Sequence, residues 1–327
     1  MKAIHLLENG RPDLVCKCVD VEDVGPASVG EVVVAIEASA INPADLLMFK
    51  GLYPGPSDFP ASVGIEGAGH VIEIGDGVTG LKVGDKVISL GRTNWVERVR
   101  DDASRFIKIP EAIDIKQAAM LKANPPSAEL MLEDYVTLRS GDWVIQNAAN
   151  SAVGRHIIRL AARRGIKTVN IVRRAGLVDE LTELGADHVI VAGKDLDERV
   201  RAIIGKDANL PLAIDAIGGS AVMDLADCLS DGGTIVNYGF LSGEPCQLTP
   251  THTIVHGISL TGFWLVGYMQ STPREKIEAM YTKMANLFID GVLDVPIEAE
   301  YTLDQIAEAM AHSDRESRSG KILLTSS

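Results

Sequence analysis

The sequence predicts an α/β protein with two domains, one built on a doubly wound parallel sheet and the other on a barrel of mostly antiparallel strands. A length of 327 residues favours two domains over one. The first 118 residues contain short β-type runs separated by Gly-Asp turns. From residue 119 to about 263, strand and helix patterns alternate instead, which is typical of right-handed βαβ crossovers in a parallel sheet.

The barrel-like domain is expected to cover residues 1–118 and to be completed by residues from about 264 to 327. Its clearest predicted strands are 31–38, 70–74 and 86–90, and the tail adds a helix at 274–291 and a final strand at 321–325. Because that last strand follows a helical hairpin with no sheet of its own, we expect it to rejoin the barrel.

The middle domain, residues 119–263, begins within a helix predicted over 116–132. Its strands are predicted at 142–146, 168–172, 188–191, 212–215, 234–238 and 259–263. Between the first two strands, apolar residues from Val153 to Ala161 recur at i, i+4, i+7 and i+8, which predicts one buried face of a helix. A further helix at 178–184 ends before Gly185, a residue suited to the left-handed position after a helix.

Composition and charge exclude several classes of partner. The formal net charge of −14 would repel nucleic acid and anionic membrane surfaces. No apolar run approaches the ~20 residues of a membrane span, and the N-terminus lacks the apolar core of a secretory signal. The four cysteines are too few for a disulfide scaffold, and Cys16 and Cys18 are typical of strand packing rather than of a zinc site. We therefore expect a cytoplasmic protein with a small-molecule ligand.

The strongest local signal for function is the turn between the first middle-domain strand and its helix. It reads Asn147-Ala148-Ala149-Asn150-Ser151-Ala152-Val153-Gly154. Small residues allow a pyrophosphate to approach the backbone, and a helix N-terminus offers it free N–H groups. Only Gly154 remains of the G-x-G-x-x-G pattern, so a turn that merely packs the helix on the sheet is the alternative. The candidate cofactor contacts are Asn150, Ser151, Ala152, Val153 and Gly154.

Two arginines at the end of the second middle-domain strand indicate which dinucleotide binds. An NAD-specific site carries an acidic residue at this position to hold the ribose diol. Here the strand runs into Arg173-Arg174. A guanidinium binds a 2′-phosphate through paired, charge-assisted hydrogen bonds, which favours NADPH over NADH. A solvated strand end is the alternative for both arginines.

Taken together, these features resemble the medium-chain dehydrogenase/reductase superfamily over essentially the whole chain. The general landmarks are 41–45 (INPAD), 64–69 (GIEGAG) and 83–87 (VGDKV). Four motifs resemble its trans-2-enoyl thioester reductase branch, the type of mitochondrial fatty-acid synthesis: Asn124-Pro125, 147–151 (NAANS), 172–174 (VRR) and 262–265 (GFWL). The resemblance implies a Rossmann NADPH-binding domain and a GroES-like barrel catalytic domain, with quinone oxidoreductases as near relatives.

The same resemblance argues against a metal. Zinc alcohol dehydrogenases carry a Cys ligand in the segment that matches 42–45 and a His-Glu pair where this chain has Ile65-Glu66. His70 leads into a strand and has no second ligand at metal spacing, so we expect a structural histidine. A site without a Lewis acid suits hydride transfer to an alkene conjugated to a carbonyl, whose oxygen can be held by fixed donors.

By the same resemblance, Tyr53 in the Gly51-Leu52-Tyr53-Pro54 loop would donate a proton to the α-carbon after hydride transfer to the β-carbon. A phenol stays protonated at neutral pH and can serve as the acid. The alternative is a tyrosine that only stacks on cofactor or substrate, and the same loop occurs in zinc-independent quinone oxidoreductases. Asn42 would lie near the nicotinamide ribose, with an Asx-type turn as the alternative.

Further cofactor contacts come from the resemblance alone: Asn124, Tyr238, Gly239, Phe263, Trp264, Leu265 and Lys321. An interface or core position is the equal alternative for Phe263-Trp264, and a surface position for Lys321. Ser127 and Glu129 depart from the Thr and the bulky residue that are usual in the family. A carboxylate at 129 would line a fatty acyl tunnel poorly, which weighs against a long acyl substrate.

Three functions remain open from sequence. They are an enoyl thioester reductase, a quinone or small enone reductase with the same cofactor, and an NADPH-binding protein without turnover. The presence of Tyr53 beside a full cofactor set argues against the third, because a binding protein does not need a proton donor. A homodimer is expected, since the apolar strand 259–265 is a candidate sheet edge that would need protection.

Overall fold

The structure is a computed structural model that describes residues 1–315 and 318–326. It divides into unit 1, Met1–Ala123 with Thr272–Ser327, and unit 2, Asn124–Ser271. These boundaries fall after Ala123 and Ser271 rather than after residues 118 and 263. The first difference has a physical cause, because Lys122 Nζ and Ala123 N donate hydrogen bonds to Ile65 O and to Glu66, both in unit 1.

The strands are, in chain order, β1 (Lys2–Leu6), β2 (Cys16–Asp20), β3 (Glu31–Ala40), β4 (Ala61–Ser62), β5 (Ala68–Ile74), β6 (Lys86–Ser89), β7 (Arg98–Asp102), β8 (Phe106–Lys108), β9 (Trp143–Gln146), β10 (Lys167–Val172), β11 (His188–Val191), β12 (Leu212–Asp215), β13 (Thr234–Asn237), β14 (Ser259–Gly262), β15 (Ile297–Tyr301) and β16 (Lys321–Thr325). The α-helices are α1 (Pro12–Val15), α2 (Pro43–Phe49), α3 (Ile115–Ala118), α4 (Asn124–Glu133), α5 (Ala152–Arg163), α6 (Val178–Glu183), α7 (Leu196–Ile204), α8 (Ala221–Cys228), α9 (Leu265–Ser271), α10 (Arg274–Ile289) and α11 (Ile306–Ser313).

Unit 1 is organised around a mostly antiparallel sheet. Its strand order is β15-β16-β3-β5-β6-β8, and β7 also pairs with β3. The last strand of the chain, β16, runs antiparallel to β3 with Leu323 opposite Ala40. A smaller sheet has the order β2-β1-β4. The rings of Phe49 and Trp95 meet edge to face with centroids 5.7 Å apart, in a core that also includes Ile4.

Unit 2 is the predicted doubly wound domain. Its sheet has the order β11-β10-β9-β12-β13-β14, and every adjacent pair in that order is parallel. Counted from β9, this is the 3-2-1-4-5-6 order of a dinucleotide-binding fold, in which ligands bind at the carboxyl ends of the strands. The fold class expected from the sequence, a Rossmann sheet with a separate mainly antiparallel domain, is confirmed.

Several predicted elements are wrong in detail. The single helix expected over 116–132 is interrupted between α3 and α4, because Pro125 and Pro126 lack the N–H groups that a continuous helix requires. The helical hairpin expected before the last strand contains β15, which pairs in parallel with β16. Alternating polar and apolar residues in β15 gave too short a pattern to detect. No helix in the described parts of the chain has the length and apolar character of a membrane span.

Candidate functional site

The turn between β9 and α5 has the geometry of a dinucleotide-binding turn. Ser151 begins α5 as its N-cap, and its hydroxyl accepts a hydrogen bond from Gly154 N at 3.1 Å. A Cβ atom at Gly154 would lie 2.5 Å from the carbonyl oxygen of Ala149, so only glycine fits. The helix therefore starts close to the strand end, with its first N–H groups available to a phosphate.

A buried carboxylate organises the carboxyl ends of three neighbouring strands. Asp215, fully buried at the end of β12, accepts hydrogen bonds from the side-chain amides of Asn147 and Asn237, the latter at 2.6 Å. The backbone N–H of Gly218 donates to it at 3.0 Å. Asn147 in turn accepts from Ala216 N at 2.8 Å. These bonds fix the edge of the sheet at which a ligand of this fold would bind.

The residue pair Tyr238-Gly239 follows β13 at this edge. The Tyr238 phenol hydrogen bonds to the Ser151 side chain, and burial raises the pKa of Tyr238 to about 12, so it is neutral at physiological pH. A Cβ atom at Gly239 would lie 2.4 Å from the carbonyl oxygen of Ala216. Tyr238 therefore connects the end of β13 to the start of α5.

The segment Phe263-Trp264-Leu265 follows the neighbouring strand β14. Phe263 N donates to Asn237 O at 2.9 Å, which continues the sheet pairing by one residue. The Trp264 side chain is 48% exposed, so the core alternative does not hold for this residue. Asn124, another predicted cofactor contact of unit 2, is the first residue of α4.

Arg173 and Arg174 are exposed and come directly after β10, whose last five residues are buried. No carboxylate occurs among the next four residues of the chain. Beneath this strand end, Gln146 Nε2 donates both to Asn170 Oδ1 at 2.7 Å and to Gly154 O at 2.9 Å. The buried amides thus connect β10 to the start of α5, and the two arginines follow directly from this fixed strand end.

In unit 1, Asn42 and Lys321 form part of one buried polar network. Lys321 Nζ donates to Asn42 Oδ1, and Asn42 Nδ2 donates to Glu66 Oε1 at 2.6 Å. Lys321 is 7% exposed, so the surface alternative for this residue is wrong. Burial lowers the pKa of Lys321 to about 8, while the charge of Glu66 acts in the opposite direction. The side chain of Asn42 contacts Glu66 and Lys321 rather than forming only the local turn considered as its alternative.

Two further ionisable groups belong to the same region. Asp45 is fully buried and accepts backbone hydrogen bonds from Asn42 at 2.9 Å and Ile65 at 3.1 Å. Burial raises the pKa of Asp45 to about 7, although both N–H groups oppose the shift. Lys122 Nζ donates to the carbonyl oxygens of Ile65 and Gly91, each at 2.6 Å, and burial lowers its pKa to about 8.

Tyr53 lies in the loop that follows α2. The helix ends in a Schellman arrangement, in which Gly51 N bonds to Met48 O at 3.0 Å and Leu52 N to Leu47 O at 2.8 Å. Gly51 has φ +72°, a conformation that other residues rarely adopt. Tyr53 is half-buried and packs against the core that contains Phe49 and Trp95.

Glu129, the departure that weighed against a long acyl substrate, has a structural partner. It is 2% exposed and forms an ion pair with Arg164, the C-cap residue of α5. Arg164 also pairs with Glu133 at 2.8 Å. The carboxylate is therefore engaged in packing α4 against α5 inside unit 2, and its presence is no argument against an acyl substrate.

The histidine and cysteines considered for a metal have ordinary contacts. His70 Nδ1 is paired with Glu37, and the Cys16 thiol donates to Pro12 O at 3.0 Å. Within residues 1–315 and 318–326, no three His, Cys, Asp or Glu side chains lie together in a group that could hold a metal ion.

Sequence reasoning missed several residues of these networks. They are Lys122, Asp215 and Asn237, while Asn147, Asp45 and Glu66 were noted only as parts of sequence motifs. Strand ends that converge in a parallel sheet would have indicated Asp215 and Asn237. No local pattern marks Lys122, whose partners Ile65 and Gly91 are distant in sequence.

Comparison with known proteins agrees with both units. Residues 28–109 match the family described as alcohol dehydrogenase GroES-like domain, and residues 152–286 match the family described as zinc-binding dehydrogenase. The mitochondrial enoyl-[acyl-carrier-protein] reductase of Caenorhabditis elegans is 38% identical over 86% of this chain and 83% of its own length.

Solved structures give the same relationship. The complex of Etr1p, a mitochondrial 2-enoyl thioester reductase known from Candida tropicalis, with NADP and crotonyl-CoA has a TM-score of 0.87 at 25% identity over 99% of each chain. Escherichia coli quinone oxidoreductase complexed with NADPH has a TM-score of 0.90 at 25% identity over the full length of both chains. The chain belongs to the medium-chain dehydrogenase/reductase superfamily, within its enoyl reductase branch, and has quinone oxidoreductases among its relatives.

Proposed function

We propose that this chain, an NADPH-dependent oxidoreductase acting on CH–CH groups, reduces the C=C bond of a trans-2-enoyl thioester. The observation that carries the proposal is the 38% identity to an enoyl-[acyl-carrier-protein] reductase over 86% of the chain. The structural relative solved with crotonyl-CoA supports the same substrate class. The pairing of Glu129 with Arg164 removes the sequence-based objection to an acyl group.

The residues of unit 2 fit NADPH. Gly154 lets the start of α5 pack closely against the backbone of Ala149, and the N-terminus of α5 supplies N–H donors for a pyrophosphate. Arg173 and Arg174 would hold the 2′-phosphate, while Tyr238, Gly239 and the 263–265 segment would flank the nicotinamide. Asn42, Asn124 and Lys321 complete the proposed contacts. Bound NADPH supplies the hydride that is added to the β-carbon of the substrate.

Tyr53 is the proposed proton donor to the α-carbon. Its half-buried phenol carries an O–H group that can act as a general acid. The packing of Tyr53 against the core limits the directions in which its hydroxyl can point. General acid catalysis of this kind is worth about 10²–10⁴ in rate.

A quinone or small enone reductase is the second candidate. It is favoured by one observation, the TM-score of 0.90 to Escherichia coli quinone oxidoreductase. The two functions differ in their need for an acid, because water can protonate a hydroquinone anion whereas a carbon must be protonated at a defined position.

The experiment that tests the substrate class is NADPH oxidation by the purified protein with four acceptors. The panel contains crotonyl-CoA, a longer enoyl-CoA, a 2-alkenal and a quinone. The proposal expects the highest kcat/KM for one of the thioesters. A quinone preferred over both thioesters by tenfold or more would replace it with the second candidate.

We also propose a homodimer formed at the β14 edge of the unit 2 sheet. β14 is the terminal strand of its sheet, and Leu260 on this strand is 39% exposed. Ile254 and Val255, just before the strand, are 80% and 70% exposed. An apolar, unpaired edge is a surface that soluble proteins usually cover. Light scattering should give about twice the 34.9 kDa chain mass, and a monomer at micromolar concentration would refute the proposal.

A further inference from the structure

Arg92 contacts the loop that carries Tyr53 at two points. Its guanidinium carbon lies 5.6 Å from the centroid of the Tyr53 ring, a cation–π distance. Its Nη2 atom donates a hydrogen bond to the carbonyl oxygen of Pro54 at 2.7 Å. The same atom lies 3.7 Å from the thioether sulfur of Met48, a buried residue of α2. One side chain thus joins the ring of Tyr53, the backbone beyond it and the preceding helix.

The backbone that carries Arg92 is held firmly on both sides. Gly91 O accepts hydrogen bonds from Lys122 Nζ at 2.6 Å and from Asn94 Nδ2 at 2.9 Å. The Asn94 amide also donates to Gly64 O at 3.0 Å, and Trp95, next in the chain, is fully buried. Arg92 therefore extends from a rigid base to a loop whose own residues, Leu52, Pro54 and Gly55, are exposed.

The guanidinium of Arg92 is not engaged by a carboxylate. Among residues 1–315 and 318–326, no Asp or Glu forms an ion pair with it, although the chain has 45 acidic side chains against 31 lysines and arginines. Two arginines that follow it in sequence, Arg98 and Arg100, form ion pairs with Asp23 and Glu31, respectively. The contacts of Arg92 are instead directed to the Tyr53 loop.

We propose that Arg92 is a positioning residue, which holds the 51–55 loop so that the Tyr53 hydroxyl is aimed for proton donation; this rests on the proposed function of Tyr53. Planar guanidinium groups suit this task because they stack on an aromatic ring and donate hydrogen bonds at the same time. The loop itself begins at Gly51, whose positive φ turns the chain away from α2. Without Arg92, Tyr53 keeps its chemistry but loses its fixed orientation.

In the proposed reduction, bound NADPH would supply the hydride and Tyr53 the proton. The hydride joins the β-carbon, and the electron pair of the C=C bond moves to the carbonyl oxygen as an enolate. The O–H bond of Tyr53 then breaks while a C–H bond forms at the α-carbon and the thioester carbonyl is restored. Water returns a proton to the phenolic oxygen. The substrate thereby gains one hydride and one proton.

The first test compares Arg92→Met and Arg92→Lys with Arg98→Met, a matched control for a half-exposed arginine of unit 1. We expect Arg92→Met to lower kcat for crotonyl-CoA about 10- to 100-fold, since a misplaced catalytic group costs this much. The dissociation constant for NADPH should change less than about threefold. Arg92→Lys should recover part of the loss, because the charge remains and the planar fork does not. Wild-type kcat in both Arg92 variants would overturn the proposal.

A second measurement needs no substrate. Hydrogen–deuterium exchange of the ligand-free protein should be faster for the amides of residues 52, 53 and 55 in Arg92→Met and unchanged in Arg98→Met. If Arg92→Met does not fold, the same comparison is made with Arg92→Lys. Unchanged exchange in the 52–55 segment of the folded Arg92 variant would overturn the proposal that Arg92 holds this loop.

A double-mutant comparison separates the two claims. If Arg92 acts through Tyr53, adding Arg92→Met to Tyr53→Phe should lower kcat by less than about threefold more, because the target of positioning is already gone. If kcat of the double variant fell by the product of the two single-variant losses, Arg92 would not act through Tyr53, and Tyr53 would remain the proposed acid. A fully active Tyr53→Phe would instead refute the proposed acid, while the exchange data still decide whether Arg92 orders the loop.

Discussion

Lys321 donates a hydrogen bond to the side-chain oxygen of Asn42, a residue 279 positions earlier in the chain. The bond joins the first residue of β16 to the start of α2, and it fixes which end of the Asn42 amide faces Glu66. An amide held between a buried ammonium and a buried carboxylate is oriented by charge on both sides. Asn42 and Lys321, both predicted as cofactor contacts, are thus directly hydrogen-bonded to each other.

Replacement of Asn42 should test the hydrogen-bond network of Lys321, Asn42 and Glu66. Asn42→Ala withdraws a hydrogen-bond partner from both Lys321 and Glu66, which are 7% and 0% exposed. Bonds to buried charged groups are worth about 1.5–3 kcal/mol each, so loss of two such bonds should lower the free energy of unfolding by about 3–6 kcal/mol. Urea denaturation measures the change. Asn286→Ala, an exposed position in α10, should change it by less than about 0.5 kcal/mol; equal effects would contradict the network.

The buried Asp45 should make stability depend on pH. Its folded-state pKa of about 7 lies above the ordinary value of 3.8, so the folded protein holds a proton that the unfolded chain releases. The stabilisation is complete below pH 3.8 and is lost as pH rises through 7. Between pH 5 and pH 8 this loss amounts to about 2–3 kcal/mol. Urea denaturation at several pH values should show it in the wild type and not in Asp45→Asn; parallel curves would contradict the assignment.

Cofactor preference should depend on Arg173. Arg173→Ala should raise the Michaelis constant for NADPH about 10- to 100-fold and leave that for NADH nearly unchanged, since only NADPH has the 2′-phosphate. Arg163→Ala, an exposed arginine in the last turn of α5, is the control. If Arg173→Ala weakened both cofactors equally, Arg173 would not be the 2′-phosphate ligand.

The turn at Gly154 should tolerate no side chain. In Gly154→Ala, a Cβ atom 2.5 Å from the Ala149 carbonyl oxygen must push α5 away from β9. We expect at least a tenfold loss of NADPH affinity by fluorescence titration, because the helix N-terminus moves relative to the strand end. Gly193→Ala, where the new Cβ would meet its nearest neighbour at 3.6 Å, should bind NADPH as the wild type does. Wild-type affinity in Gly154→Ala would exclude this turn from the site.

Strand positions could be predicted from sequence where the hydrophobic pattern and the turn residues agree. β12, β11 and β16 lie where they were predicted, since each is a short apolar run between clear turns. The short amphipathic helices α7 and α8 were missed because polar residues dilute their pattern.

Fewer contacts of the candidate site could be predicted from sequence, because many of them join residues that are distant in the chain. Turns such as 147–154 are local and leave a sequence pattern. The contacts of Arg92 with Pro54, and of Lys321 with Asn42, span 38 and 279 positions. Such pairs depend on how strands are ordered in the sheet, which local sequence does not specify. Burial of Lys321 could not be predicted for the same reason, since a lysine is ordinarily exposed.

The central claim is that Tyr53 protonates carbon in an enoyl thioester reductase. The most direct measurement is kcat of Tyr53→Phe with crotonyl-CoA and with a quinone, beside NADPH binding as a control. The ring and its packing remain in this variant, so NADPH affinity should stay within a few-fold. We expect kcat for crotonyl-CoA to fall by about 10²–10⁴ and kcat for the quinone by less than about tenfold. Full activity of Tyr53→Phe on crotonyl-CoA would contradict the account.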